Sequence, residues 1–304
     1  MKVLFAGTPD FAVPSLEALI HAGHEIVAVL TQPDRRQGRG QHTHYSPVKS
    51  CALAHKLPVL QPPSLKTPQG LATLTNLHYD LMVVVAYGLI LPKNVLTLPS
   101  SGLCINVHAS LLPRWRGAAP IQHALLAGDT QTGVTIMCMD EGMDTGPIIS
   151  QKSCPIKAED TNVTLHHTLA HLGATALVDA LTSWPNITHT PQDKQGIKYA
   201  PKINKEDSLI DWDQPASRIV SHIQAMHPWP GTFMQYNAQR IRILAASAEA
   251  HPTTAKPGTL IETEKRLRIA CQDSVLQIHE LQMPGKKAMS WEAFYCGHAD
   301  FFSH

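Results

Sequence analysis

An amide and an imidazole stand two residues apart where an apolar segment of the chain ends. Asn106 and His108 follow Gly102-Leu103-Cys104-Ile105, and Asp144 comes 36 positions after His108. Because side chains alternate along a strand, Asn106 and His108 are predicted on the same face. A carboxylate can orient an imidazole, the imidazole can take a proton from a nucleophile, and an amide can donate to a developing oxyanion. These residue types are typical of acyl transfer, although a histidine beside a strand also serves as a hydrogen-bonded structural group.

The sequence around this segment disfavours a covalent intermediate. Ser110 is followed by Leu-Leu-Pro, and no serine or cysteine stands in a nucleophile-elbow motif. Direct attack by an amine on an activated acyl donor is the remaining route. The alternative for His108, a purely structural histidine, stays open at this point.

The elements that must position these residues alternate between strands and helices over residues 1–184. Such alternation predicts an α/β fold with a doubly wound, mostly parallel sheet, which binds ligands beyond the carboxyl ends of its strands. The Gly7-Thr8-Pro9-Asp10-Phe11 turn lacks the three-glycine spacing of a dinucleotide site, which argues against NAD. The predicted strands are Lys2–Gly7, Glu25–Thr31, Asp80–Ala86, Leu103–Val107 and Gly133–Met139, and the predicted helices are Phe11–Ala22, Pro47–Lys56 after the Ser46 N-cap, Pro120–Ala127, and one through Leu165–Leu181.

The rest of the chain differs in pattern. Residues 185–203 are polar and contain Pro185, Pro191 and Pro201, which predicts a linker along the surface. Residues 204–304 show strand-like segments between turn signals and a helix over Ala216–Met226, which predicts a small β-barrel domain of OB-like type. The predicted strands there are Thr232–Tyr236, Arg240–Ala245, Gly258–Glu262, Leu267–Cys271 and Val275–Leu281.

Composition restricts the class of protein. The chain has 304 residues, 43% hydrophobic and 16% charged, with a net charge of +1, so a polyanion would need a local basic patch. No stretch has the length and apolarity of a membrane span, and the first apolar residues suit a strand better than a secretory signal. The six cysteines form no CxxC pair, which favours free thiols in the cytoplasm. His167 and His171 lie four apart without a third ligand, so no metal site is expected.

Several motifs together resemble the formyltransferases that use 10-formyltetrahydrofolate, and among them most closely the branch that acts on methionyl-tRNA. The resemblance covers nearly the whole chain. Its motifs are FAGTPDF at 5–11, TQPDR at 31–35, GRG at 38–40, SPVK at 46–49, VVAYGLILP at 84–92, NVHASLLPRWRGAAPIQ at 106–122, GVTIMCMDEGMDTGPI at 133–148, PWP at 228–230 and GKKAM at 285–289.

The resemblance implies a set of roles. Asn106, His108 and Asp144 would be the catalytic residues of a direct formyl transfer to the amino group of methionyl-initiator tRNA, with tetrahydrofolate released and no metal. The chain is expected to act as a monomer with no membrane partner. The residues implied in folate binding are Ser110, Leu111, Leu112, Pro113, Ala86, Tyr87, Gly88, Leu89, Ile90, Leu91, Met139 and Asp140. For Leu111 and Leu112, core packing is an equally good interpretation.

Basic residues are the candidates for tRNA contacts. The segment 32–45 is long, carries Arg35, Arg36 and Arg39, and by resemblance enters the tRNA acceptor stem. The lysines that relatives often have after this motif are replaced by Gln41-His42-Thr43-His44, which lowers its fixed charge. In the second domain the candidates are Arg240, Arg242, Lys286 and Lys287, which could equally form a solvated surface. Arg114, Trp115 and Arg116 could stack a base or form a surface cluster.

Three rival functions remain at this level. A sister formyltransferase acting on a UDP-aminosugar would share the Asn, His and Asp trio and the Pro-Trp-Pro turn, but the arginine segment and Ala86-Tyr87-Gly88-Leu89 follow the tRNA branch. A hydrolase of formylfolate would normally carry a different regulatory domain. A nonenzymatic folate or RNA binder would not need all three catalytic residue types.

Overall fold

A computed structural model describes residues 1–37, 42–262 and 265–302 of the chain. The chain divides into two compact units. The first consists of residues 1–120, 131–155 and 166–200, and the second of residues 121–130, 156–165 and 201–304.

A seven-stranded sheet forms the centre of the first unit. The unit's strands are β1 (Lys2–Gly7), β2 (Glu25–Leu30), β3 (Arg35–Gln37), β4 (His42–His44), β5 (Val59–Leu60), β6 (Leu81–Val85), β7 (Leu103–His108), β8 (Arg116–Gly117), β9 (Gln131–Cys138), β10 (Ile148–Pro155) and β11 (Tyr199–Ala200). The strand order of the sheet is β10-β9-β7-β6-β1-β2-β5. The five strands from β7 to β5 are parallel, whereas β9 runs antiparallel to β7 and β10 antiparallel to β9.

Helices connect these strands. They are α1 (Val13–His21), α2 (Pro47–Ala54), α3 (Pro68–Thr75), α4 (Lys93–Leu96), α5 (Pro120–Ala127) and α6 (Asn162–Leu181). All of α5 except Pro120 belongs to the second unit. The predicted helix Phe11–Ala22 is divided into a 3-10 turn at Asp10–Ala12 followed by α1. Pro14 in the first turn of α1 explains this, since proline is tolerated there but not inside a helix. The Ser46 hydroxyl caps α2 by accepting from the Lys49 amide at 3.1 Å, as the sequence predicts.

The core of the sheet explains why its strands are apolar throughout. Every residue of β6 is buried, as expected for a strand covered on both faces. Helix α6 packs closely against the face of β7 that carries Val107. A Cβ added at Gly173 would lie only 2.8 Å from Cγ1 of Val107. By alternation, Asn106 and His108 therefore face away from α6.

The second unit is built on an antiparallel sheet. Its strands are β12 (Thr232–Tyr236), β13 (Gln239–Glu249), β14 (Leu260–Glu262), β15 (Leu267–Ala270), β16 (Val275–Gln282) and β17 (Ala288–Ser290), and its helices are α7 (Ala216–Met226) and α8 (Trp291–His298). The order is β12-β13-β16-β15-β14, with β17 also paired to β16. Ile219, Ile223, Ile241 and Phe294 are buried in one core with the inner face of this curled half-barrel. The predicted fold class, a mostly parallel α/β sheet followed by a small barrel-like sheet, is confirmed.

Two segments differ from the pattern that the sequence suggests. Within the predicted loop 32–45, the short strands β3 and β4 pair antiparallel. The segment predicted as a linker contributes β11, which pairs with β8, and Thr190, which exchanges backbone hydrogen bonds with Ile148 at 2.7 and 2.8 Å. Among the described residues, no helix is long and apolar enough to cross a membrane.

Candidate active site

His108 is the last residue of β7 and is held by two neighbouring segments. Its side chain is 6% exposed. Nε2 lies 2.9 Å from the Trp115 carbonyl oxygen and Nδ1 lies 3.7 Å from Oδ2 of Asp144. Because a carbonyl oxygen can only accept, Nε2 carries a proton, and Nδ1 of the neutral ring then bears the lone pair. The Nδ1 to Oδ2 distance of 3.7 Å is longer than a hydrogen bond, so the carboxylate lies beside Nδ1 without bonding it in this conformation.

Asp144 is placed by the backbone around it. Its Oδ2 accepts the Gly117 amide at 2.8 Å, and its own φ is +54°. Trp115, the other partner of His108, has φ +65°. Left-handed backbone at a non-glycine residue costs about 1–2 kcal/mol, although aspartate tolerates it better than most residues. Two such residues on either side of one imidazole are typical of a functional site.

Asn106 lies on β7 two residues before His108. It is half buried and stands in register with Val84 on β6 and Met137 on β9. Because β7 is an internal strand of the sheet, the position of Asn106 is set by backbone pairing on both sides. With His108 on the same face by alternation, an amide donor and an imidazole flank one region at the carboxyl end of β7.

The segment after His108 is anchored by one buried hydroxyl. Thr135 on β9 is fully buried; its Oγ1 donates to the Ser110 carbonyl at 2.6 Å and accepts the Leu112 amide at 3.1 Å. The Ser110 hydroxyl donates to the Arg114 carbonyl at 2.6 Å. The side chains of Ser110 and Leu112 are buried, whereas those of Leu111 and Pro113 are half buried.

The loop after β6 contains two left-handed residues, Ala86 at φ +47° and Gly88 at φ +81°. The Tyr87 carbonyl between them accepts from the Thr8 hydroxyl at 2.9 Å and from Nε2 of Gln32 at 3.1 Å. A Cβ on Gly88 would lie 2.2 Å from that same Nε2, so glycine suits this position both sterically and conformationally.

The exposure of the other predicted folate residues divides them into two groups. Tyr87 and Leu91 are buried, and burial raises the pKa of the Tyr87 hydroxyl to about 12. The exposed or half-buried members are Ala86, Gly88, Leu89, Ile90, Met139 and Asp140. The Asp140 carboxylate closes its own loop by accepting from the Thr145 hydroxyl at 2.6 Å.

The residues predicted to contact tRNA are placed only in part. Arg39 lies outside the described residues; Arg35 and Arg36 belong to β3. Lys286 and Lys287 are exposed between β16 and β17. The other two candidates, Arg240 and Arg242, make contacts within the chain. The Arg240 guanidinium lies 4.1 Å from the Phe233 ring centre and 2.5 Å from the Ser208 hydroxyl. Arg242 donates to the Pro228 carbonyl.

Asp34, the residue before β3, is held by hydrogen bonds from two polar side chains. Lys49 Nζ lies 2.5 Å from its Oδ2, and Nε2 of Gln61 donates to its Oδ1 at 2.9 Å. The hydrogen bonds from Lys49 and then Gln61 hold the pKa of the Asp34 carboxyl below its usual range.

Arg116 does not belong to the surface cluster that the sequence suggests. Arg114 lies 4.3 Å from the ring centre of Trp115, but the Arg116 side chain is only 7% exposed. Its Nε and Nη2 donate to Oε1 of Gln192 at 3.0 and 2.7 Å. Sequence reasoning missed Gln192 because it stands in a polar, proline-containing segment without any periodic signal.

One group in the described part of the chain has the residue types of a metal site. The ligand atoms of Glu17, Cys51 and His55 lie within 4.8 Å of one another, and Cys51 Sγ lies 4.0 Å from Oε1 of Glu17. Burial, followed by the charge of Glu17, raises the pKa of the Cys51 thiol. A raised thiol pKa disfavours the thiolate that binds metals, so this group carries no assignment.

Comparison with known proteins identifies the family. The profile described as formyl transferase matches residues 1–181, and that of the formyl transferase C-terminal domain matches residues 202–299. This chain belongs to the formyl transferase family. A methionyl-tRNA formyltransferase of Thiobacillus denitrificans is 49% identical over 98% of this chain and 97% of its own length. One of Hahella chejuensis is 49% identical over 95% of this chain and 92% of its own.

Solved structures share the fold of this formyltransferase. An N-formyltransferase of Helicobacter canadensis, in complex with folinic acid and dTDP-3-aminofucose, superposes with a TM-score of 0.71 at 21% identity, covering 91% of this chain and 98% of that one. HypX of Aquifex aeolicus with tetrahydrofolic acid gives a TM-score of 0.62 at 16% identity; the match covers 99% of this chain but 47% of HypX.

Proposed function

We propose that this formyltransferase transfers a formyl group from 10-formyltetrahydrofolate to the free amino group of methionyl-initiator tRNA, for translation initiation. The observation that carries the proposal is the buried His108, held between the Trp115 carbonyl and the Asp144 carboxylate. The near full-length relatives named methionyl-tRNA formyltransferase support the choice of acceptor.

The geometry supports a direct transfer. The amine nitrogen attacks the formyl carbon, and the Asn106 amide donates to the oxyanion that develops. Nδ1 of His108 takes the proton from the attacking nitrogen, because Nε2 is already bonded to Trp115. The imidazolium that forms faces Oδ2 of Asp144, 3.7 Å away, which stabilises its charge.

The second half of the reaction returns this proton. His108 gives it to the folate nitrogen as the bond from that nitrogen to the formyl carbon breaks. The products are formylated methionyl-tRNA and tetrahydrofolate, and His108 is neutral again. No side chain forms a covalent bond at any step, in agreement with a sequence that contains no nucleophile elbow.

We assign the predicted folate residues two kinds of task. The exposed or half-buried side chains contact the folate, since a flat pterin needs an apolar slot with backbone donors and acceptors. The buried members fix the backbone of these loops. The contact group is Leu111, Pro113, Ala86, Gly88, Leu89, Ile90, Met139 and Asp140, and the supporting group is Ser110, Leu112, Tyr87 and Leu91.

The tRNA would be bound mainly through phosphates. Lys286 and Lys287 lie exposed in the predicted second domain, residues 204–304, and Arg35, Arg36 and Arg39 complete the proposed contacts. Phosphate contacts make binding weaken as salt rises. We further propose that the enzyme acts in the cytoplasm as a monomer and without a metal.

An acceptor competition tests the proposal. The purified chain is given labelled 10-formyltetrahydrofolate and three acceptors: methionylated initiator tRNA, a UDP-aminosugar and water. Label is expected on the tRNA. Transfer only to the sugar would establish the sister activity, release of formate would establish a hydrolase, and the absence of any transfer would favour a nonenzymatic binder.

A further inference from the structure

Gln192 connects the two segments that hold His108. Its Nε2 donates to the backbone carbonyls of Asp144 and Gly146, both at 2.8 Å. Its Oε1 accepts from both Nε and Nη2 of Arg116, at 3.0 and 2.7 Å. A carboxamide has two donors and two acceptor positions, so all of them are used within the protein.

The two segments that Gln192 joins carry both partners of the imidazole. Residues 115–117 provide the Trp115 carbonyl for Nε2 of His108 and the Gly117 amide for Oδ2 of Asp144. Residues 144–146 provide the carboxylate itself. A displacement of either segment therefore changes the Nδ1 to Oδ2 distance, which is 3.7 Å.

These segments need an external support because their backbone is unfavourable. Asp144 and Trp115 both have left-handed φ values, +54° and +65°. Gln192 donates to the Asp144 carbonyl. It also accepts from the side chain of Arg116, the residue after Trp115. The Arg116 amide also donates to the Lys198 carbonyl at 2.9 Å, which ties residues 115–117 to the same part of the chain.

We propose that Gln192 is a positioning residue for formyl transfer, which keeps the Asp144 carboxylate at the imidazole of His108. This inference rests on the proposed function, since it assigns Asp144 a role in that reaction. Gln192 itself touches neither substrate in the mechanism described above. Its effect should therefore appear in kcat and not in KM for either substrate.

The variant Gln192→Glu separates positioning from folding. Glutamate retains the oxygen atoms that accept from the buried Arg116 but has no donor for the Asp144 and Gly146 carbonyls. We expect kcat to fall about 10- to 100-fold, because a displacement near 1 Å at a reacting group can cost about 100-fold. Gln192→Ala, which removes all four bonds, should lose at least as much. Gln195→Ala is the matched control, because Gln195 lies exposed three residues later.

A double-mutant cycle with Asp144→Asn tests whether the effect passes through the carboxylate. If Gln192 acts by placing Asp144, then Gln192→Glu causes no further loss of kcat in the Asp144→Asn background. Wild-type kcat in Gln192→Glu, or full additivity of the two losses, would overturn the inference. Wild-type enzyme without formyl transfer would refute the proposed function instead, so the two failures are distinguishable.

Discussion

Thr135 offers a direct test of how the loop at the active site is held. This residue lies on β9 opposite His108, and its hydroxyl bonds the Ser110 carbonyl and the Leu112 amide, both buried. Thr135→Val keeps the size and the strand preference of the side chain but removes the hydroxyl. Both backbone groups then lose their partner in the interior.

The magnitude follows from those two groups. Leaving one buried donor or acceptor unsatisfied costs about 1–3 kcal/mol, so the pair should cost at least about 2 kcal/mol of unfolding free energy. Gln151 Nε2, which donates to the Thr135 hydroxyl at 2.9 Å, loses that acceptor as well but keeps its hydrogen bond to the Leu112 carbonyl at 2.9 Å. Since residues 110–113 are proposed to bind folate, KM for the formyl donor should rise as well.

The same strand provides the control. Thr132 is 3% exposed, and its buried hydroxyl has no hydrogen-bond partner within the described residues. Thr132→Val therefore removes only a desolvation cost and should be neutral or stabilising by about 1 kcal/mol. Urea unfolding of the two variants beside wild type measures both effects. A Thr135→Val protein as stable as Thr132→Val would refute the reasoning about this loop.

Three further predictions concern catalysis, tRNA and pH. His108→Ala should fold normally but lower turnover at least about a hundredfold, as loss of a general base does, and a folded variant with near-normal turnover would contradict the assignment. Arg39→Ala should raise KM for tRNA much more than KM for folate; equal effects would count against a tRNA contact. Burial lowers the pKa of His222 despite the opposing hydrogen bond of its Nε2 to the Asp207 carbonyl at 2.6 Å. The unfolded chain therefore binds the proton more readily, and stability is lost as pH falls through the ordinary histidine pKa of 6.5. Between about pH 7.5 and 5.5, urea unfolding should show a smaller loss of unfolding free energy in His222→Gln than in wild type. An equal loss would contradict the lowered pKa of His222.

Local patterns in the sequence were sufficient to predict many of the strands and helices. Continuous apolar residues predicted β6 as a strand buried on both faces, and Ser46 followed by Pro47 predicted the start of α2. The small elements were missed because they have no local signal. Strands β8 and β11 have two residues each and exist only because the chain brings them together.

The sequence by itself also determined which side chains could do chemistry. Asn106 and His108 are two residues apart on one strand, so their common face follows from the pleat alone. The chain's membership of the formyl transferase family agrees with the acyl-transfer chemistry that these residue types suggest. These residue types, with no nucleophile elbow in the sequence, predict direct transfer without a covalent intermediate, and that mechanism stays a prediction.

Only the tertiary structure decided how these residues are held. Asp144, Gly117 and Gln192 are far apart along the chain, and only folding brings the Gly117 amide and the Gln192 amide to the aspartate. The same folding buries Arg116, which the sequence suggested as a surface residue. Hydrogen bonds between segments that are remote in sequence leave no periodic pattern, whereas strands and caps do, because their partners lie a fixed number of residues away.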